Sequence, residues 1–541
     1  MASLPEPTGK NSGLATATSA PLEKAIVVLL YKRHAPDDEY VVKLVERELV
    51  ARGFNVWVDR HMNMGIDWAK EVERRIRTAD AVVPLLSHAS IQSEMFCFEV
   101  ENAHDAAQQQ RGAPRIFPVR IDLSGPLPEP LGGMLDRIVY AKWESKENDK
   151  QLIGELVAAL DQVPRQTAAT ESAAPKLSVR PTASAAGRKP RSGYIDPALN
   201  PAPAIEPIGG AVPLASQFYV TRPADGELRN ALIRYDSIVL IKGSRQIGKT
   251  SLLARGLQFA RERGAKVALT DYQKFGASNL ESVAQFYVGL AESLADQLEL
   301  ETGPADEWDD RRGANANFER FLRKHVLGKL NAPLVWGMDE VDRLFVSSYG
   351  SEVFGLFRSW HNERALDPSG PWAGLTLLIS YATEAHLFIT DLNQSPFNVG
   401  TRLVLDDFTK PQISDLNWRH GEPLKGEAEL DRFIKLLGGH PYLIRKGLHE
   451  LATTKIDLAR FESSAASDEY VYGDHLRRIL VLLAKDPVLT EAVRGLLWNQ
   501  GTLAAESFYR LRSAGVVLGA TQSEVTLRCQ LYKDYLSRHL L

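Results

Sequence analysis

Between Ala25 and about Leu160 the apolar positions switch between two rhythms. Short apolar runs predict buried strands near 25–31, 54–58, 80–86, 116–121 and 137–140. Between them apolar residues recur every three or four positions, which predicts helices near 38–52, 67–78, 92–108 and 148–161. Apolar strands alternating with amphipathic helices imply a parallel sheet covered on both faces. A second α/β stretch runs from about Phe218 to Leu405, and the chain is mostly helical after it. The last stretch, about 470–541, gives helices and then "AGVVLGATQSEVTLR", a hairpin-like pattern. Helices followed by such a wing predict a winged-helix module.

Two segments carry no hydrophobic period. Residues 1–22 are rich in Ala, Ser, Thr and Pro and are expected to be disordered. Residues 164–210, rich in Ala, Pro, Ser and Thr with scattered basic residues, read as a flexible linker. No internal repeat is evident, so no solenoid sensor is expected.

Composition narrows the class. At 541 residues the chain exceeds what one core supports, so two to four domains are expected. A net charge of -4 gives no overall pull towards nucleic acid, which is therefore a less favoured partner. The only two cysteines, Cys97 and Cys529, lie far apart; that excludes a disulfide framework or a thiolate metal site and fits a cytoplasmic protein. No basic start precedes an apolar run, and "AIVVLLY" is too short to span a bilayer, so neither a targeting segment nor membrane association is expected.

The strongest motif lies in "IVLIKGSRQIGKTSLLARGL". An apolar strand runs into Gly243-Ser244-Arg245-Gln246-Ile247-Gly248-Lys249-Thr250, and a helix follows through Ser251. This is a phosphate loop in its strand–loop–helix setting. Its glycines let backbone amides turn towards phosphate oxygens, and the helix start adds positive charge. Lys249 is placed to reach the terminal phosphates of ATP, and Thr250 to hold Mg²⁺. "NAPLVWGMDEVDRLF" supplies the partner: a strand ending in Asp339, a second Mg²⁺ candidate, and Glu340, which can polarise a water. Taken alone, Asp339-Glu340 reads as a capped helix start; downstream of a phosphate loop it reads as the partner.

From about Phe218 onward the chain resembles the AAA-like family of STAND ATPases, in "FYVTRPADGEL", "QSPFNVG", "GGHPYLI" and "RCQLYKDYL". The resemblance implies an ATP/ADP-controlled switch that oligomerises. It implies that Val220, Thr221 and Arg222 lie near the adenine, and that His440, before Pro441, senses phosphate from a helical lid. By its residue type alone, His440 could be a cap or a core histidine. Ser380 and Thr383 are weaker sensor candidates.

The N-terminal stretch resembles TIR domains, a flavodoxin-like fold. The resemblance rests on "VVLLYKR", "GFNVWVDRHMNMGIDWAKEVERRI", "ADAVVPLLSHASIQSEMFCFEV" and "RIFPVRI". It places Glu99 where TIR enzymes that cleave NAD⁺ carry their catalytic glutamate. At helical spacing Glu99 falls between Met95-Phe96 and Ala103, on an apolar face. A charge there is costly unless it is paired or has chemistry to perform. The resemblance makes Tyr31, Lys32, Arg33, Asp59, Trp68, Met95 and Phe96 the NAD-binding candidates, with the loop Arg60–Gly65 completing a neighbour's site. Against this, Glu99 could pair with Arg33 or Lys32 and be purely structural, and Trp57, Trp68 and Cys97 could be packing residues. Two departures stand out. Met95, with Phe96 beside it, replaces the usual aromatic one turn before the glutamate, and Leu30 replaces a serine before Tyr31.

The expected organisation is α/β and multidomain: a TIR domain over 23–163, a P-loop ATPase over 211–408, a helical lid over 409–468 and a winged helix over 469–541. The expected function is an ATP-regulated, self-associating NAD⁺ glycohydrolase acting as a bacterial immune effector, its trigger unknown. The alternatives are a non-catalytic TIR scaffold, a DNA-binding regulator, or a TIR enzyme making a cyclic nucleotide signal.

Overall fold

The computed structural model describes residues 24–59, 65–110, 112–128, 131–136, 138–163, 206, 208–309, 311–382, 395–499 and 502–541. The expected disordered start, nearly all of the expected linker, and Arg60–Met64 lie outside the described residues.

The N-terminal sheet is built from β1 (Ile26–Leu30), β2 (Asn55–Trp57), β3 (Ala81–Leu86), β4 (Arg115–Ile116), β5 (Val119–Ile121) and β6 (Ala141–Trp143). The order is β2-β1-β3-β5-β6, with β4 also on β3, and every pairing is parallel. The helices α1 (Pro36–Ala51), α2 (Ile66–Thr78), α3 (Glu94–Gln109) and α4 (Leu131–Leu135) lie between these strands, and α5 (Asp149–Leu160) follows β6. Side chains alternate across each strand, so one sheet feeds two cores. Val27, Leu29, Val83 and Leu85 pack with α1 and α5; Val28, Leu30, Val82 and Leu86 pack with α2 and α3.

Two strands differ from the sequence pattern. The run 116–121 is two strands, because Pro118 has no amide to continue the ladder. Pro84 lies in β3 where its partner changes from β4 to β5. The strand expected at 137–140 is instead Ala141–Trp143, in register with Val119–Ile121, while Val139 is exposed. The apolar run there is a surface approach to the strand.

The second sheet has β7 (Ile238–Lys242), β8 (Lys266–Asp271), β9 (Leu334–Asp339), β10 (Leu375–Tyr381) and β11 (Thr401–Val404). Its order is β11-β7-β10-β9-β8, all parallel. The helix α6 (Pro223–Ile233) precedes β7 and α7 (Lys249–Glu262) follows it. Since β10 lies between β7 and β9, the loops leaving β7 and β9 flank its end. That arrangement forms a crevice at the carboxyl edge of the sheet.

Beyond β11 the described residues form helices and an antiparallel pair, β12 (Val517–Leu518) and β13 (Thr526–Leu527). They share one apolar core, from Ile413 and Phe433 through Tyr472 to Tyr535, which also takes Phe218 and Val220. One member, the helix Gly473–Ala484, has a second face. Its Val481 and Ala484 enter the N-terminal core beside Trp68, Ala69 and Phe96.

Candidate functional site

The chain must reverse sharply between β7 and α7. Gln246 (φ +58°) and Gly248 (φ +103°) take left-handed conformations to do so. A Cβ on Gly243 would lie 2.6 Å from Ile247 Cγ2, and one on Gly248 2.8 Å from Arg222 Nη2. Lys249 is buried and its ammonium donates to Ser244 O inside the loop at 3.3 Å. Arg245 is exposed, and its backbone amide donates to Ser513 O at 3.2 Å. Thr250 follows, exposed at the start of α7. Ser251 is turned elsewhere: its hydroxyl accepts from Val212 N at 2.9 Å and ties the incoming chain to the helix.

Across β10, Asp339 is buried at the end of β9 and accepts from Glu340 N at 3.0 Å. Glu340 is left-handed (φ +52°), a costly conformation that gathers at functional sites. Burial pushes its carboxyl above the ordinary range; Lys249 opposes this and Asp339 adds to it. Between them Ser380 is buried, with no hydrogen-bond partner for its hydroxyl among the described residues. Thr383 lies outside the described residues.

Three further elements close on the loop. Arg222 caps α6 and donates to Ile247 O at 2.8 Å. Its neighbours Val220 and Thr221 turn towards the C-terminal helices: Val220 enters their core, and Thr221 O accepts from Gln412 Nε2 at 3.1 Å. His440 is the residue before Pro441, which opens the helix Pro441–Thr454. Its Nε2 sits 3.1 Å from Arg245 O, while Nδ1 is buried without a partner among the described residues. Burial, with the Arg528 charge, holds this ring well below its ordinary pKa. Arg528 is the residue that sequence reasoning missed. Its Nη2 donates to Ser244 Oγ at 3.2 Å, its Nη1 to Asp407 Oδ1 at 2.5 Å and its Nε to Gly515 O at 2.7 Å. It opens the quoted "RCQLYKDYL", but one arginine before a buried helix gives no signal of its own.

The geometry at Gly248 yields a test. Gly248→Ala must bear a left-handed conformation and a clash with Arg222. Strain of about 1–3 kcal/mol predicts roughly 5- to 150-fold weaker ATP binding in a fluorescent-nucleotide titration. Unchanged affinity would mean that this glycine does not shape the loop.

The second site surrounds Glu99. Ser93 caps α3 by accepting from Phe96 N at 3.2 Å, which orients the helix and puts Glu99 in its second turn. Glu99 is only 7 % exposed, and among the described residues its carboxylate makes no hydrogen bond or ion pair. The two cations considered as structural partners are engaged elsewhere. Arg33 pairs with Asp59 at 2.9 Å and donates to Asp59 O at 2.7 Å. Lys32 pairs with Asp474 at 2.8 Å. Burial drives the Glu99 carboxyl well above its ordinary range, Asp59 adds to this, and Arg477 and Arg33 oppose it. Trp68, Met95 and Phe96 are buried in the apolar cluster under α2 and α3, and Trp68 Nε1 has no partner among the described residues. Tyr31 is buried on the other face of the sheet. Burial pushes both the Cys97 and Cys529 thiols up to about 12, so neither is a reactive thiolate.

A raised carboxyl pKa penalises the ionised folded chain. Stability is therefore lost as pH rises from the ordinary glutamate value of 4.5 through the raised one. Glu99→Gln removes that loss. In thermal unfolding the variant should melt about 2–4 °C above the parent at pH 8 and match it near pH 4. A lower melting temperature at pH 8 would show that the carboxylate is paired.

The TIR domain family matches residues 27–157, and the AAA-like domain family matches residues 208–538. A search of curated proteins finds no match. Among solved structures, a Walker-type ATPase of Pyrococcus abyssi is 18% identical, with 59% of this chain and 96% of that one covered and a TM-score of 0.43. The ORC1 protein of Aeropyrum pernix, solved in complex with DNA, is 16% identical over 60% of this chain and 95% of that one, with a TM-score of 0.30. AMPPCP-bound DnaA from Aquifex aeolicus is 15% identical over 46% and 69%, with a TM-score of 0.29. No helix of the described residues is long and apolar enough to cross a membrane. With its phosphate loop, its acidic strand end and more than half its length matched, the chain belongs to the AAA-like family and joins that ATPase module to an N-terminal TIR domain.

Proposed function

We propose that this chain is a nucleotide-controlled TIR enzyme that cleaves the nicotinamide–ribose bond of NAD⁺. The observation that carries this reading is Glu99, a buried carboxylate left without a hydrogen-bond or ion-pair partner among the described residues while Arg33 and Lys32 are bound elsewhere. Keeping such a group is costly, and perturbed carboxyls gather where chemistry is done. As the nicotinamide–ribose bond breaks, its electron pair leaves with nicotinamide and positive charge develops on the ribose. An ionised Glu99 beside that ribose stabilises the charge, and water then adds, releasing a proton and ADP-ribose. Attack by a group of the nucleotide itself would give a cyclic product. Lys32, Arg33 and Asp59 are the polar candidates for holding NAD⁺, Tyr31 lying on the other face of the sheet; Trp68, Met95 and Phe96 are the apolar ones.

Gly243 to Ser251, Val220, Thr221, Arg222, His440 and Pro441 form the candidate site for ATP or ADP. Thr250, exposed at the helix start, and Asp339, whose carboxylate takes only a backbone amide among the described residues, fit an Mg²⁺ ion. Mg²⁺ would neutralise phosphate charge there. Glu340 would polarise a water for ATP hydrolysis. In this reading ADP keeps the chain closed. ATP and an unidentified trigger open it, and self-association brings TIR domains together at high effective concentration. The winged-helix module takes part in the switch, and the outcome is NAD⁺ depletion in defence against phage.

The test is nicotinamide release from NAD⁺ by purified protein, with and without ATP and Mg²⁺, across protein concentrations. Release that rises more than linearly with concentration supports an assembled enzyme. Absence of release, including from the variants below that free the TIR domain, would sink the enzymatic reading in favour of a scaffold. Salt-dependent DNA binding would revive the regulator.

A further inference from the structure

The helix Gly473–Ala484 lies against α2 and α3, directly over the TIR site. Its Asp474 carboxylate sits on two donors of the TIR domain: Lys32 Nζ at 2.8 Å and Ser93 Oγ at 2.7 Å. Lys32, Arg477 and the Ser93 hydroxyl outweigh burial and hold Asp474 at about 2, so it is an anion at neutral pH. Arg477, hydrogen-bonded to Asp474, contributes the largest favourable charge at Glu99. One turn on, Val481 and Ala484 close the apolar side, and Lys485 reaches Glu73 at 3.4 Å and Asn102 at 3.3 Å.

We propose that this helix is an internal competitor of the substrate: Lys32 and Ser93 form an anion seat for the diphosphate of the dinucleotide, and in the closed chain Asp474 occupies it. The proposal rests on the reading of the TIR site as an NAD⁺ site. Its basis is chemical. A carboxylate held by an ammonium and a hydroxyl beside a helix start occupies ground suited to a phosphate oxygen. Glu99 lies buried nearby, where the adjoining ribose would fall. Occupation by Asp474 and Arg477 excludes the substrate and also keeps water from Glu99.

The seat is wired to the nucleotide site by the neighbouring residue of α3. Glu94 Oε2 accepts from Gln246 Nε2 of the phosphate loop at 2.7 Å. The same oxygen lies 3.7 Å from His475 Nδ1 and 3.8 Å from Arg478 Nη1 of the capping helix. Burial works against ionisation of Glu94, but His475, Lys446 and Tyr442 hold it at about 2. One carboxylate thus joins the TIR helix, the phosphate loop and the competitor. A change in the loop around Gln246 reaches the seat through one side chain.

The test uses the full chain with two separate substitutions. Asp474→Asn weakens the anion, and Lys485→Glu sets like charges against Glu73 at the rim, outside both candidate sites. Hydrogen–deuterium exchange of residues 94–109 and 473–484 should quicken at least tenfold in both. In a Glu99→Gln background, which blocks turnover, NAD⁺ should bind at least tenfold tighter to each than to the otherwise unsubstituted chain. Adding Lys32→Met to Asp474→Asn should weaken NAD⁺ at least tenfold and leave nicotinamide riboside, which lacks the diphosphate, unaffected. Unchanged exchange and NAD⁺ affinity in both variants, with unfolding temperatures preserved, overturns the competitor alone. Quickened exchange with no NAD⁺ binding in any variant overturns the dinucleotide reading of the site, and the competitor with it. An equal loss for both ligands in Lys32→Met overturns the diphosphate seat.

Discussion

Glu99→Gln, introduced into the Asp474→Asn chain so that the TIR site is uncapped, should cut nicotinamide release by about 10²–10³-fold. Glutamine keeps the shape of the side chain and removes its charge. The group beside the ribose can then still fill space and donate or accept a hydrogen bond. It can no longer oppose the positive charge that appears only as the bond breaks. The loss should therefore fall on kcat, with NAD⁺ affinity held within a few-fold. A loss confined to KM would make Glu99 a binding group, and undiminished release would remove it from the chemistry. The surroundings explain why charge matters here. Among the described residues no hydrogen bond or ion pair holds Glu99 directly, although Arg477 and Arg33 act on it through space.

Lys249→Ala should weaken ATP binding by about 10²-fold or more. Charge-assisted hydrogen bonds contribute roughly 1.5–3 kcal/mol each, and a phosphate-loop lysine makes them to two phosphates. The side chain is already inside the loop, within 3.3 Å of Ser244 O, so little ordering is needed to use it. Removing it leaves the glycine geometry and the start of α7 in place, and the variant should fold. A fluorescent-nucleotide titration measures the effect. ATP-dependent nicotinamide release should vanish with it, while Lys249→Ala combined with Asp474→Asn should still release nicotinamide. Failure of that double variant, with its fold intact, would mean that nucleotide does more than lift the cap.

Much of this was legible in the sequence because local chemistry enforced it. The phosphate loop was visible since only glycine satisfies the backbone around Ile247 and Arg222. The N-terminal parallel sheet was visible from most of its apolar strands, and the second region as an α/β stretch. The end of β9 was visible because two carboxylates follow a buried run. The two strand errors came from local competition: Pro118 divides one run, and the exposed Val139 lengthens the approach to another. The contacts that matter most for control were not legible. Asp474, Arg477 and Arg528 sit in stretches that read as ordinary amphipathic helix or surface charge. Their meaning comes from partners hundreds of positions away, and no period within one segment can report that. Glu94 illustrates the limit. Nothing in the residues around it marks it out, yet it touches the phosphate loop and the capping helix at once.

The cap is distant along the chain as well as decisive in space. Ser93 and Asp474 are separated by 381 positions. A ribosome adding roughly 5–20 residues each second needs about 20–80 s to cover that distance, and N-terminal domains fold as they emerge. Every newly made copy thus passes through an interval in which its TIR domain is folded and its own restraint has not yet been synthesised. Messages or chains cut short before Gly473 would never leave that interval.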